Sequence, residues 1–174
     1  AYLFKGVEIR WQCDPEMLPA NSEVPAEATL HFPGGLMDFL IANLGNVPLL
    51  SPEPFHGQAD LADDKGQVEW AVAWPMRGDS FTSTYCNTIP TPQGGTHESG
   101  LRTALTRSLR GFGELVGNKK ASQITSDDVM GGAQVLLSLF LRDPHFQGQT
   151  KEKLASSEAS RLVDNAIKDR FDIW

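Results

Sequence analysis

The sequence predicts an α+β fold, a two-layer sandwich of helices on a sheet. Three observations carry the prediction. Three strand candidates, Phe55–Leu61, Val68–Trp74 and Phe81–Ile89, follow one another with turn sequences Asp63-Asp64-Lys65-Gly66 and Arg77-Gly78-Asp79 between them. Two later stretches, from Glu98 and from Ser156 or Ser157, carry apolar residues at helical spacing. Between them lies Val135–Leu141, apolar on both faces, as a central strand must be.

Taken in order, Leu3–Trp11 alternates Val7, Ile9 and Trp11 with Glu8 and Arg10, which predicts a half-buried strand. Residues 14–27 hold three prolines and several acids and read as a loop. Thr29–Phe32 is extended. Pro33-Gly34-Gly35 then breaks the chain, and Leu36, Phe39, Leu40, Ile41 and Leu44 form one helical face that Gly45 ends. After a proline-rich connection come the three strand candidates, read as an antiparallel meander. The loop Pro90–His97 opens a helix whose Leu101, Leu105, Leu109, Phe112 and Val116 are predicted to pack on the sheet. Gly117–Gln123 is a polar turn. Thr125 caps a short helix through Met130, with Asp127 and Asp128 in its first turn. The final helix places Ala159, Leu162, Val163, Ala166, Ile167, Phe171 and Trp174 on one stripe. It carries no stop signal, which predicts that the natural chain continues.

A chain of 174 residues fits one domain with a sizeable core. Its 40% apolar and 21% charged residues are those of a soluble globular protein, without a membrane span or a signal-peptide pattern. Cys13 and Cys86 are read as reduced thiols of a cytoplasmic protein, one disulfide being the alternative. Cysteines and histidines form no metal-ligand spacing. The net charge of −7 excludes a surface that grips nucleic acid throughout, so any DNA contact must be local.

Chemistry concentrates in the loop Asp143-Pro144-His145-Phe146-Gln147-Gly148-Gln149-Thr150-Lys151. It joins a buried strand to a helix, so its ends are held and a group on it can be aimed. Gly148 permits a tight turn, and Gln149 and Lys151 offer an amide and an ammonium that suit a phosphate. The alternative is a solvated turn with a surface lysine. Arg102, Arg107 and Arg110 spread over about 140° of the helix from Leu101, giving a patch for DNA phosphates or an ordinary salt-bridged face. His97 could be a nucleophile's partner with Ser99 or Cys86, but no carboxylate has a matched spacing. A structural role, with Thr96 and His97 satisfying the helix start, is preferred.

Three stretches resemble the B subunits of bacterial type IIA DNA topoisomerases, of the topoisomerase IV branch, with the gyrase branch as the alternative. They are Tyr85–His97, ending in Gly-Gly-Thr-His; Gly100–Arg107; and Phe146–Leu154, holding Gln-Thr-Lys. Ala1–Arg10 resembles the segment that joins the family's ATPase and transducer domains. The resemblance implies that residues 1–27 end the ATPase domain and that 28–174 are the transducer domain. It implies a fold similar to the second domain of ribosomal protein S5, with a left-handed β-α-β crossover, although the general rule favours the right-handed form. By the same resemblance, Lys151 and Gln149 contact the γ-phosphate of ATP bound to the neighbouring ATPase domain. Lys151 has the catalytic role, and Arg102 lines the cavity that receives transported DNA. The implied partners are the topoisomerase IV A subunit, a second copy of the B subunit, DNA and the ATPase domain of the same chain, with no membrane. ATP and magnesium serve the complete subunit.

No glutamate base, magnesium-holding asparagine, glycine-rich lid, P-loop or acidic cleavage-core motif is visible, so the chain by itself is predicted neither to bind ATP tightly nor to hydrolyse it. Met130-Gly131-Gly132-Ala133 departs from an Arg-Glu-Gly-Leu-like run of the family, which removes any role carried by that glutamate. The reading from another class is a non-enzymatic nucleic-acid-binding module of the S5-like kind. The charge and the Gln-Thr-Lys loop argue against it.

Overall fold

Gln134–Leu141, the most apolar strand, lies in the middle of a five-stranded sheet in the computed structural model, which describes all 174 residues. In chain order the elements are β1 (Glu8–Gln12), β2 (Glu27–His31), α1 (Leu36–Leu44), β3 (Phe55–Asp60), β4 (Gly66–Ala73), β5 (Phe81–Cys86), β6 (Ile89–Pro90), α2 (Thr96–Leu115), α3 (Ser126–Met130), β7 (Gln134–Leu141), β8 (Phe146–Gln147), β9 (Lys153–Leu154) and α4 (Ser157–Ile173). The sheet runs β3-β4-β7-β5-β6.

This order corrects the expected meander. β3 and β4 form the antiparallel hairpin, but β7 enters between β4 and β5, antiparallel to the first and parallel to the second. The reason is burial. Val135, Leu137 and Leu139 of β7 fill the main core, while Leu136 fills a second one on the opposite face. Only a strand paired on both edges and covered on both faces can hide all of them. The Arg77-Gly78-Asp79 segment therefore steps across β7 and is no hairpin turn. The third strand candidate also stops early. Asn87 (φ 49°) and Thr88 (φ 66°) reverse the chain, and Ile89 pairs back on Cys86. Two consecutive positive φ angles are the signature of a two-residue hairpin turn.

The main core lies between one sheet face and α2 with α4, and the smaller core lies under α1 on the other face. The sandwich therefore gains a partial third layer. Helices α2 and α4 meet closely at Gly100, where a side chain would press on Val163 and on the backbone of Ser160. The expected apolar face of α2 holds as far as Leu109 and then fails. Phe112 and Val116 are exposed, because the last turn presents Gly113 to Ala121 of the 3-10 turn Lys119–Gln123. Thr125 caps α3 as expected, in a reciprocal box with Asp128. The bonds from Thr125 hold the Asp128 carboxyl below the usual carboxylate range.

The half-burial expected of β1 does not occur. The strand is exposed along its length, because it pairs only with β2 and no layer covers either side. The 27/28 boundary falls inside this hairpin. Residues before it are anchored by Tyr2 stacked on Phe32 and Phe39 and by Lys5 paired with Glu69. Cys13 and Cys86 are both free, and burial pushes the Cys86 thiol up to about 11. Of the four tryptophans, Trp70 is buried and Trp11 is exposed on the hairpin, while Trp74 and Trp174 lie at the end of α4 beside Phe171. No helix is long and apolar enough to cross a membrane.

Candidate functional site: the Lys151 hairpin and its clasp on the second helix

The segment expected as a loop after β7 is a small hairpin. Phe146 and Gln147 of β8 pair with Leu154 and Lys153 of β9. Gly148 (φ 77°) makes the turn that its residue type predicts, and Lys151 (φ 57°) is also left-handed. Gln149, Thr150 and Lys151 at the tip are exposed. The Lys151 ammonium stands 5.8 Å from the Phe146 ring centroid, with no carboxylate in salt-bridge range. Beside it is an open cleft of about 460 Å³ with Asn87, Ile89, His145 and Gln149 on its walls.

Two groups hold the base of the hairpin. Asn87 donates its Nδ2 proton to the Leu141 carbonyl at 2.9 Å and accepts from the Leu141 amide at 2.8 Å, fixing the chain where it leaves β7. The His145 amide donates to Ser156 Oγ at 2.8 Å, and the Ala155 amide donates to the His145 carbonyl at 2.7 Å. Ser156 occupies the N-cap position of α4, but its hydroxyl serves His145 and does not cap the helix.

The return strand is clasped to the residues that open α2. The Gln93 amide donates to the Glu152 carbonyl at 3.0 Å, and Gln93 Nε2 donates to Glu152 Oε2 at 2.7 Å. The Leu154 amide donates to the Gly94 carbonyl at 3.1 Å, and Gly95 lies alongside Leu154 as in a parallel pair. Gly95 has φ 138°, and a Cβ there would stand 2.6 Å from the Leu154 nitrogen. Only glycine fits. The Gly-Gly-Thr-His and Gln-Thr-Lys stretches, far apart in sequence, thus form one joint.

His97 is fully buried, and its Nε2 lies 3.1 Å from Thr91 Oγ1, which in turn bonds Thr84 at 2.7 Å. Burial lowers its pKa to about 4, so the ring is neutral at pH 7. The role is structural, as expected, but the means differ. Gly95 sits at the N-cap with no side-chain cap, and neither Thr96 nor His97 satisfies the helix start.

The three arginines diverge. Arg102 donates to Glu98 at 2.8 Å and stands 3.7 Å from Asp127 of α3. Arg110 donates to the Ile124 carbonyl at 2.7 Å, on the same flank. Arg107 turns to α4 and pairs with Asp164 at 3.0 Å. Arg102 and Arg110 therefore reach toward the α3 segment, and Arg107 reaches toward α4.

One ammonium and one amide on a raised, exposed tip suit the terminal phosphate of a nucleotide held by another body. No group of three or more His, Cys, Asp or Glu residues could hold a metal ion. An ammonium and an amide are donors for phosphate oxygens, and a magnesium ion on such a phosphate would take its ligands from elsewhere. Sequence reasoning missed Asn87, Gln93 and Glu152. Asn87 could have been found as an asparagine suited to a positive φ turn. The Gln93–Glu152 bond has no local sequence signal.

The family model described as DNA gyrase B matches residues 35–174, beginning just after β2. The B subunit of DNA topoisomerase 4 from Bartonella bacilliformis is 52% identical over the whole chain, which spans 25% of that protein. The protein of the same name from Caulobacter vibrioides is 50% identical, with the same shares. The fold is similar to the 43K ATPase domain of Thermus thermophilus gyrase B in complex with an aminocoumarin, at TM-score 0.78 and 27% identity, covering 99% of this chain and 44% of that one. It is equally similar to the topoisomerase IV ATP-binding domain of Francisella tularensis in complex with a small-molecule inhibitor, at TM-score 0.77 and 28% identity, with the same coverage. The chain thus spans about a quarter of the length of its curated relatives, and it belongs to the DNA gyrase B family.

Proposed function

We propose that this chain is the transducer region of a type IIA topoisomerase B subunit, of the topoisomerase IV kind, and that it relays ATP binding and hydrolysis to DNA strand passage. Residues 28–174 are the transducer and residues 1–27 the end of the ATPase domain. The observation that carries the reading is Lys151: an exposed cation in a left-handed conformation, lifted on a hairpin that is clasped to α2. ATP, held with magnesium by the neighbouring ATPase domain, supplies the phosphoryl group whose cleavage is sensed. Lys151 neutralises its terminal oxygens and Gln149 donates to them, so the pair orients the phosphate and favours the transition state. Because the lysine's partner differs before and after hydrolysis, its contacts can shift a domain equilibrium. Arg102 faces transported DNA with Arg110 beside it, and Arg107 acts chiefly through Asp164. The working assembly comprises two B subunits, two A subunits and DNA.

The test is ATP-dependent decatenation by the complete subunit with its A partner. Lys151→Ala is expected to lose ATP turnover and strand passage with the fold intact. Wild-type turnover in that variant would remove the reading. The same region of a gyrase B subunit is the second reading, favoured by the likeness to the Thermus thermophilus protein. Supercoiling in place of decatenation by the complete enzyme would select it.

A further inference from the structure

We propose that the Gln93–Glu152 joint is the element that passes displacement of the Lys151 hairpin to α2, making these two residues positioning residues for the coupling of ATP turnover to strand passage. The inference rests on the Lys151 reading above and adds the route. Glu152 follows Lys151 directly, and Gln93 stands three residues before Thr96, where α2 begins. Backbone bonds from Gln93 to the Glu152 carbonyl and from Leu154 to the Gly94 carbonyl keep the two segments together, and beside them stand two contacts of different physical character. Gly95 against Leu154 is crowded: Leu154 is 1% exposed, Gly95 is half-buried, and no side chain could replace the glycine hydrogen. The Gln93–Glu152 side-chain bond, at 2.7 Å, lies at the surface, where water competes and the bond can break and reform at little cost. A crowded contact beside an exposed latch gives the joint a fixed part and a breakable part, as the two-state element that coupling between sites requires would need. A shift of the hairpin tip toward a phosphate draws Glu152 with it, and the latch then pulls or releases the start of α2. Helix α2 is a rod of 20 residues, about 30 Å long, and Arg102 sits about 9 Å along it from Thr96. Helix α4 also packs on α2, closely at Gly100 and Ser160, and is the competing route.

The experiment measures ATP consumed per decatenation event by the complete B subunit with its A partner. Gln93→Leu and Glu152→Ala are compared with wild type, with Glu152→Gln as the conservative variant and Lys151→Ala in parallel. The truncations are expected to keep ATP hydrolysis within about twofold and to raise ATP used per event about tenfold. Glu152→Gln keeps an acceptor oxygen for Gln93 and is expected to restore the wild-type ratio, which a merely structural loss would not predict. An unchanged ratio in both truncations overturns the joint and leaves α4 as the route. So does failure of Glu152→Gln to restore it, and so does a loss of hydrolysis as large as the loss of coupling. Retained hydrolysis in Lys151→Ala would sink the Lys151 reading itself. Lost hydrolysis there, with wild-type ratios in the latch variants, would sink only the joint.

Discussion

Two short stretches of this chain use the same backbone device for opposite ends. Gly94-Gly95 (φ 66° and 138°) and the hairpin tip Gly148 to Lys151 (φ 77° and 57°) both enter left-handed space. At the first, packing demands it: side chains there would strike Glu98 and the backbone of Leu154. At the second nothing crowds the chain, and a Cβ on Gly148 would meet no atom within 4 Å. Lys151 adopts the strained conformation in the open. The first stretch is architecture, whose strain is dictated by neighbours. The second carries strain that no neighbour in the chain requires, which is where functional geometry tends to be stored.

The comparison predicts unequal consequences. The largest belongs to Gly95→Ala, which adds both a clash with Leu154 and an unfavourable φ. It should cost at least about 3 kcal/mol and lower the melting temperature by about 6–12 °C, read by thermal denaturation of the chain. A wild-type melting curve would erase the distinction between the two stretches. Gly148→Ala, with the same sign of φ and no clash, should cost only about 1 kcal/mol.

The buried side of the comparison can also be tested by pH. His97 titrates near 4 in the folded chain and near 6.5 when exposed, so between those values the unfolded state binds more protons. Its contribution is complete above pH 6.5 and is lost as the pH falls toward 4, by about 2 kcal/mol between pH 7 and pH 5. Urea midpoints at the two pH values should show that loss in the wild type and a smaller one in His97→Gln. Equal slopes would mean that His97 is reached by solvent. Asn87→Ala removes two hydrogen bonds to Leu141 and leaves alanine at φ 49°. It should cost about 2 kcal/mol and loosen the hairpin base, seen as faster amide exchange at residues 142–155.

What the sequence disclosed follows the same division. Local signals were legible. Helical periodicity located α1, α2 and α4, the Thr125 cap located α3, and an apolar run marked β7 as central. Non-local choices were not. Nothing in Val68–Trp74 or Phe81–Ile89 states that a strand much later in the chain will separate them; that is decided by the burial of both faces of β7. The turn at Asn87-Thr88 hid inside a β-rich run because threonine and isoleucine argue for extension. At the site, Gly148, Gln149 and Lys151 were visible as residue types. Gln93, Glu152 and the reason for Gly95 exist only once residues 93–95 and 152–154 meet. The exposed apolar residues in and just before β1, Val7, Ile9 and Trp11, misled for a related reason: alternation reports which face is apolar, and leaves open what covers it.

The smallest effect on stability is the most informative about function. Lys151 holds φ 57° with neither a packing clash nor an ion pair to enforce it, at a cost of about 1 kcal/mol for a residue with a Cβ. Lys151→Gly relieves that cost and should leave the chain as stable as wild type, or more stable by up to about 1 kcal/mol. The same change removes the cation from the tip, and in the complete subunit ATP hydrolysis should fall about 10²-fold. Stability and activity would then move in opposite directions on one substitution. A chain destabilised by Lys151→Gly would show that the lysine is held by its Phe146 contact as part of the fold. Undiminished hydrolysis would place the phosphate contact on another residue.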